Sequence, residues 1–457
     1  MTERLATGAA ALDLPGTGPR APGGALTRFR VRVETWLDDR VRPMLIRHVR
    51  QQVRSRTFIG LYSATLVVAT LFSIMFAGEA GDDGGQAAYG LLGTLAAVWA
   101  FATWVAEPVA AYRALAAERD QASWELLVMT GLGPTRTVLG LWLGLGVQGL
   151  LYGAAIAPFA FLAWLLRGLD LLTIALVVLF VPAMGLAQGA LAVLAGALGQ
   201  RRGTRNVLGG IFVASCAFLW MGFLPAWTEL RYGLDDLTSG GALTALLTAV
   251  GFVANLLVLV TLLALVFAAA ALTPETGDRS SRPRLAWFLA WLNGALWAIG
   301  FGFGVGDVWE VVSVAAVFSA IGTVALGLFA LTEPESLTPR QARAVGLVPG
   351  PLRPPAWRRG LMAFVGPGLV RGRRAFLLMS LLTVGLLLFA ALVDPHGGPR
   401  FFEQAALVAV ALLGYGLAYI QVGRWLWARG VWRVLAGPTG LRVWLIFLPS
   451  LVGVAVT

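Results

Sequence analysis

Few residues in this chain of 457 could carry out covalent chemistry. It has one cysteine, Cys216, two histidines, His48 and His396, and no lysine, so all 35 basic positions are arginine. A disulfide within the chain, a Cys/His zinc set and a neighbouring Cys–His pair are not expected. Schiff-base chemistry is excluded, and a P-loop needs a lysine to reach the β- and γ-phosphates of ATP. No catalytic, cofactor-binding or metal site is therefore assigned. Ionisable groups inside long apolar runs are functional candidates. Glu107, before Pro108, is placed near the inner end of the second such run and Glu310 at the outer edge of the eighth. Gln148, Gln188, Asn255, Asn293 and Gln421 lie deeper and read as interhelical hydrogen-bonding groups. No series of acids of the kind proton-coupled carriers use is present, which points to an external source of energy.

What remains is the chemistry of recognition at a membrane face. From Pro43 to Arg56, Leu45, Ile46, Val49 and Val53 fall within about a 100° arc of a helix wheel, and Arg47, Arg50 and Arg54 form the adjoining stripe. Such a helix lies in the headgroup layer with its apolar side down and its guanidiniums on lipid phosphates. The alternative is a plain basic flank of the first span. A second element follows Glu118 and Arg119. Trp124, Leu127 and Val128 share one helical face, and Gly131, Gly133 and Pro134 then break the run. A short helix with an apolar face needs a surface to bury it, either its own chain or a partner.

These elements belong to a membrane protein. Apolar residues make up 58% of the chain and charged ones 13%, against about 45–50% and about 25% in soluble domains. The mean hydropathy is +0.76 and the isoelectric point about 10.9. The net charge of +11 reads as positive-inside bias rather than nucleic-acid binding. A transmembrane helix needs about 20 apolar residues. Candidates are 57–77, 87–110, 138–166, 170–199, 207–225, 243–272, 285–303, 310–332, 375–393, 402–423 and 442–457. With a cytoplasmic N-terminus, every arginine except Arg167, Arg231 and Arg400 falls on an inward segment. The expected fold is an all-α polytopic integral membrane protein of about eleven transmembrane helices. An interfacial elbow helix precedes the first span, and a cytoplasmic helix follows the second. Gly140/Gly144, Gly149/Gly153 and Gly185/Gly189 have the spacing of close helix approach. They are read as packing within one chain, with a dimer seam as the alternative.

The sequence resembles the permease subunits of the second class of ABC exporters. Those begin with an elbow helix of the type Pro-x-Leu-Leu-Arg-Glu-Leu-Arg, matched here by Pro43, Leu45, Ile46, Arg47 and Arg50. Between spans two and three they carry a Glu-Arg-x-x-Gly-Thr-x-Glu-Leu-Leu-Leu-x-x-Pro-like stretch. Glu118, Arg119, Glu125, Leu126 and Leu127 match it, followed by Thr130, with Gln121-Ala122-Ser123 where Gly-Thr is usual and Gly131 near the usual Pro. The resemblance covers roughly residues 40–273. It implies that Glu118, Arg119, Trp124, Glu125, Leu126, Leu127, Thr130, Gly131 and Pro134 form a coupling helix on which a separate ATPase docks. ATP and Mg would then sit on that partner, with none on this chain and no enzyme activity of its own. The function implied is ATP-driven export of an unknown substrate across the cytoplasmic membrane. Lipids and a second permease chain, the same or different, are further partners. The alternatives are a membrane-embedded enzyme handling glycosyl groups or lipids, and a non-transporting assembly protein.

The expected organisation is a disordered tail over 1–27, the elbow region over 28–56, a six-span unit over 57–273 and two further spans over 274–332. A Pro- and Arg-rich linker over 333–372, mostly without regular structure, and three spans over 373–457 follow. In 226–242, Trp227, Leu230, Tyr232 and Leu234 are expected to cap the outer end. Pro-x-Leu-[Ile/Val]-Arg-x-x-Arg occurs at both 43–50 and 367–374, and Trp124-x-x-Leu127 is echoed by Trp432-x-x-Leu435. The last part therefore reads either as a partial second permease repeat or as chance likeness between basic loops.

Overall fold

The computed structural model describes residues 42–79, 84–120, 133–166, 169–199, 202–235, 240–274, 277–305, 308–331, 337–344, 355–393, 404–416 and 418. Among these, all regular structure is helical. Helix α1 spans Arg42–Val53, α2 Arg56–Glu79 and α3 Gly84–Ala100. A π-helical segment, Phe101–Ala106, joins α3 to α4, Glu107–Asp120. Then come α5 (Pro134–Leu165), α6 (Leu171–Leu198), α7 (Arg202–Met221), α8 (Phe223–Asp235) and α9 (Gly240–Ala271). The remainder are α10 (Ser281–Val305), α11 (Val308–Leu331), α12 (Pro339–Ala344), α13 (Ala356–Val365), α14 (Leu369–Val393) and α15 (Gln404–Gly416).

The protein is a polytopic all-α membrane protein. Nine helices among the described residues are long and apolar enough to cross a bilayer, and they coincide with the first nine apolar runs of the sequence. They cannot form a water-facing surface: Phe218 is 78% exposed and Leu392 82%. Lipid can solvate such side chains, but it cannot satisfy backbone polar groups, which the helices satisfy internally. The tenth run is represented by the short α15, and the eleventh lies outside the described residues.

Among the described residues the bundle holds four buried apolar clusters, and two of them are its main cores. The larger joins α2, α3, the π segment, α5 and α6 around Leu91, Leu95, Trp104, Tyr152 and Val181. Its helices are stitched by indole N–H groups that donate to carbonyls on neighbouring helices. Trp99 donates to Gly149 O at 3.1 Å, Trp104 to Val181 O at 2.8 Å, Trp142 to Leu186 O at 2.9 Å and Trp220 to Ala97 O at 3.0 Å. The second core joins α10, α11, α14 and α15 around Val312, Ala316, Leu387 and Leu413. There Trp291 Nε1 donates to Thr383 Oγ1 at 3.1 Å, and Ser319 and Thr383 share a 2.9 Å hydroxyl bond. Asn293 Nδ2 donates to Asn255 Oδ1 at 2.8 Å, tying α10 to α9 as the neutral-polar reading expected.

Two expectations need correction, on the linker and on the motif echo. In 226–242, α8 continues from α7 after a break at Gly222 and carries Trp227 over Gly93. The side chains of Leu230, Tyr232 and Leu234 lie outside the described residues. The linker 333–372 holds two helices, α12 and α13, against the expectation of little regular structure. Tertiary ties outweigh its Pro-rich composition: Gln341 Nε2 donates to Gly277 O at 2.8 Å, the Arg284 guanidinium donates to Gly366 O, and Val365 is buried. The motif echo also shifts register. In the first copy the motif lies in α1, separated from its span by Arg54 and Ser55. In the second, residues 367–374 form the bend and first turn of α14 itself, and Gly368 takes a φ of +105° there. The helix-then-span pattern recurs as α13–α14, one element before the motif.

Candidate functional site

The elbow residues form a helix, but its buried edge differs from the expected one. His48 is its most buried residue, flanked by the half-buried Leu45, Val49, Gln52 and Val53, while Ile46, Arg50 and Arg54 face outward. Pro43 lies in the first turn; its side chain and that of Arg47 are outside the described residues. The helix lies on α5, and the imidazole of His48 covers Gly144 so closely that a β-carbon there would collide with its Cδ2. Four apolar positions in a basic stretch signal an amphipathic helix, but nothing in the sequence marks a lone histidine as its anchor.

Below Gly144, one face of α5 presents Gln148, Gly149, Tyr152 and Gly153; the two glycines meet the π segment and α3, and Tyr152 packs on Phe58 and Tyr62 of α2. Trp99 lies over Gly153, and a β-carbon at Gly149 would sit 3.4 Å from Thr103 Cγ2 and 3.8 Å from Glu107 Oε2. Gly185 meets Thr103, and Gly189 meets Leu145, from α6. The glycine pairs therefore serve close packing within the chain. The π turn has a local cause. Pro108 cannot donate to the carbonyl four residues before it, and the turn ahead widens so that Glu107 N–H bonds Ala102 O, five back. Such widened turns often lie at functional positions.

Glu107 closes this segment, at 6% exposure, and Gln148 on α5 is 3% exposed. Glu107 Oε1 and Gln148 Nε2 are both without a hydrogen-bond partner among the described residues. Glu107 is thirteen residues from the end of α4 at Asp120, so it lies about 20 Å inside the helix at 1.5 Å per residue. The helix continues past Glu107 through the exposed Arg113 to Asp120. Gln188, the matching polar residue of α6, accepts the Cys216 thiol at 3.7 Å.

The residues assigned to coupling are only partly described. Glu118 and Arg119 lie in the last turn of α4, with side chains outside the described residues, as are Trp124, Glu125, Leu126, Leu127, Thr130 and Gly131 altogether. Pro134 is the first residue of α5, with Gly133 as its N-cap in extended geometry, a usual place for proline. Leu115, Val138, Ala197 and Leu272 share one buried cluster. The ends of α4, α6 and α9 and the start of α5 thus gather at one end of the bundle. The segment from Asp120 to Pro134 leaves and re-enters there. Arg205 reinforces this end: it is buried, its guanidinium donates to Ala116 O at 3.4 Å, and its carbonyl accepts the Tyr112 hydroxyl at 2.5 Å. A cation on the last carbonyls of α4 is also favoured by the helix dipole. Sequence reading counted Arg205 only as an inward charge.

The segment 121–132 is tied directly to α5, and α5 carries α1 on its Gly144 face, with Trp99 and Glu107 packed alongside. No family model, curated protein or solved structure matches this chain.

Proposed function

We propose that this chain is the permease subunit of an ATP-driven exporter of the second ABC class. It moves a substrate across the cytoplasmic membrane while a separate ATPase supplies the energy. The observation that carries the reading is the seating of the elbow helix on α5, the helix that begins where the coupling segment ends. Docking of an ATPase on Trp124, Leu127 and Val128 would push on the start of α5. Because His48 interlocks with Gly144, α1 and α5 would move together, and α1 would carry the displacement into the headgroup layer. The arginine distribution supports a cytoplasmic N-terminus, since the arginine-bearing ends of α4 and α7 meet through Arg205 and Ala116, and those of α5 and α10 through Thr135 and Arg282. On this reading the chain crosses the membrane about eleven times, two of them after α14.

The resemblance to that family in residues 43–50 and 118–134 supports the same reading. The test is copurification of the tagged full chain with a P-loop ATPase encoded beside it. Binding to wild type and loss of binding in Leu127→Glu support the proposal; equal binding to both, or no such ATPase bound, overturns it.

A further inference from the structure

A cavity of about 160 Å³ opens at the arginine-rich end between α5 and α9. Its body is apolar, with Val138 and Leu139 from α5 and Leu262, Leu265 and Val266 from α9. Its rim is polar: Thr135, Thr273, Asp278, Arg279 and Arg282. Leu262 is more than half exposed, so the apolar wall opens sideways toward lipid.

The rim is organised for a negative charge. Arg282 is exposed and donates through one guanidinium nitrogen to Thr135 Oγ1 at 2.8 Å, bridging the start of α10 to the start of α5. A guanidinium carries five N–H donors in a planar fork suited to phosphate oxygens. Arg279 is held by its Nε on Thr273 O at 2.5 Å, which fixes its head on the other side of the opening. Among the described residues the rim holds one acid: Asp278 Oδ1 accepts the backbone N–H groups of Ser280 at 3.2 Å and Ser281 at 3.0 Å, at the start of α10. The described rim thus carries two guanidiniums and one carboxylate. A soluble anion would not need the apolar wall, and a neutral lipid would not need the two arginines.

We propose that this groove seats one anionic phospholipid, its phosphate on Arg279 and Arg282 and an acyl chain along Leu262 and Val266. Basic pockets between transmembrane helices on the arginine-rich side have the charge for such headgroups, and juxtamembrane arginines each attract anionic lipid. A lipid there would bridge α5, α9 and α10, the point where the six-span unit meets the rest of the chain. The seat is independent of any ATPase partner.

The test is native mass spectrometry of the delipidated full chain, titrated separately with phosphatidylglycerol, phosphatidylcholine and inorganic phosphate. The expected result is one tightly held phosphatidylglycerol, with phosphatidylcholine on the order of tenfold weaker or more. Inorganic phosphate should not displace it. Arg279→Gln with Arg282→Gln should lose that lipid. Leu262→Trp, which fills the exposed wall without touching the charges, should lose it as well and covers the case in which the double variant fails to fold. Equal binding of the two lipids, or retention of the lipid in folded variants, overturns the proposal. Displacement by inorganic phosphate would make this a bare anion site. Either that result or the absence of any tightly held lipid also overturns it.

Discussion

The imidazole of His48 lies directly on Gly144, in a space that no β-carbon can share. This contact fixes α1 on α5 and decides the orientation of the elbow. Gly144→Val is expected to destabilise the protein by about 1–3 kcal/mol, the usual cost of overpacking, and to release α1. His48→Ala should recover part of that loss in the double variant, because it vacates the contested space. Thermal unfolding of the four proteins in detergent checks this through the coupling energy of the cycle; simple additivity would remove the interlock.

Trp99 lies against α5 about two and a half turns further on, above Gly153, and bonds Gly149 O. Trp99→Phe removes one interhelical bond and should cost about 0.6 kcal/mol, the average for such bonds within a membrane. Gly153→Ala should cost more, since the new methyl meets the indole ring itself. The order of the two melting temperatures is the observable, and the reverse order would contradict the close approach of α3 and α5.

Glu107 buries a carboxylate oxygen with no partner, a feature that costs stability. Glu107→Met keeps the length of the side chain and removes that penalty, so the melting temperature is expected to stay level or rise. If the variant instead melts well below wild type while remaining folded at low temperature, Glu107 has a stabilising partner that this account leaves out.

The Arg284 guanidinium holds the C-terminal end of α13 through Gly366 O. Arg284→Gln should speed amide hydrogen exchange across 356–366 while leaving α10 and α11 protected. Unchanged exchange in that stretch would show that the apolar contacts of Val365 alone hold the helix.

The spanning helices were legible because a bilayer demands long apolar runs. Arg56–Gly78 and Leu369–Val393 stand out on length and composition with no help from partners. The elbow was legible as a helix from Leu45, Val49 and Val53, but its buried edge was not. A helix wheel records polarity, whereas the burial of His48 depends on an absent side chain at Gly144, nearly a hundred residues away. The widened turn before Glu107 could have been suspected from Pro108, a proline inside a helical run. Helix α13 was hidden for the opposite reason: Pro354, Pro355 and the arginines around it argue for an irregular linker, and only the bond from Arg284 and the burial of Val365 make a helix worthwhile there. Arg205 and Arg284 look alike in a charge tally, yet both are buried structural ties.

The most direct test of the account concerns the segment that leaves α4 and returns at Pro134. In a Cys216→Ala background, a photo-crosslinker at Leu127 in the full chain should capture the P-loop ATPase that copurifies with it. Leu127→Glu should abolish both the complex and any stimulation of ATP hydrolysis. Labelling of a cysteine at Gln121 by an impermeant reagent applied outside intact cells, or undiminished ATPase binding by Leu127→Glu, would contradict the account.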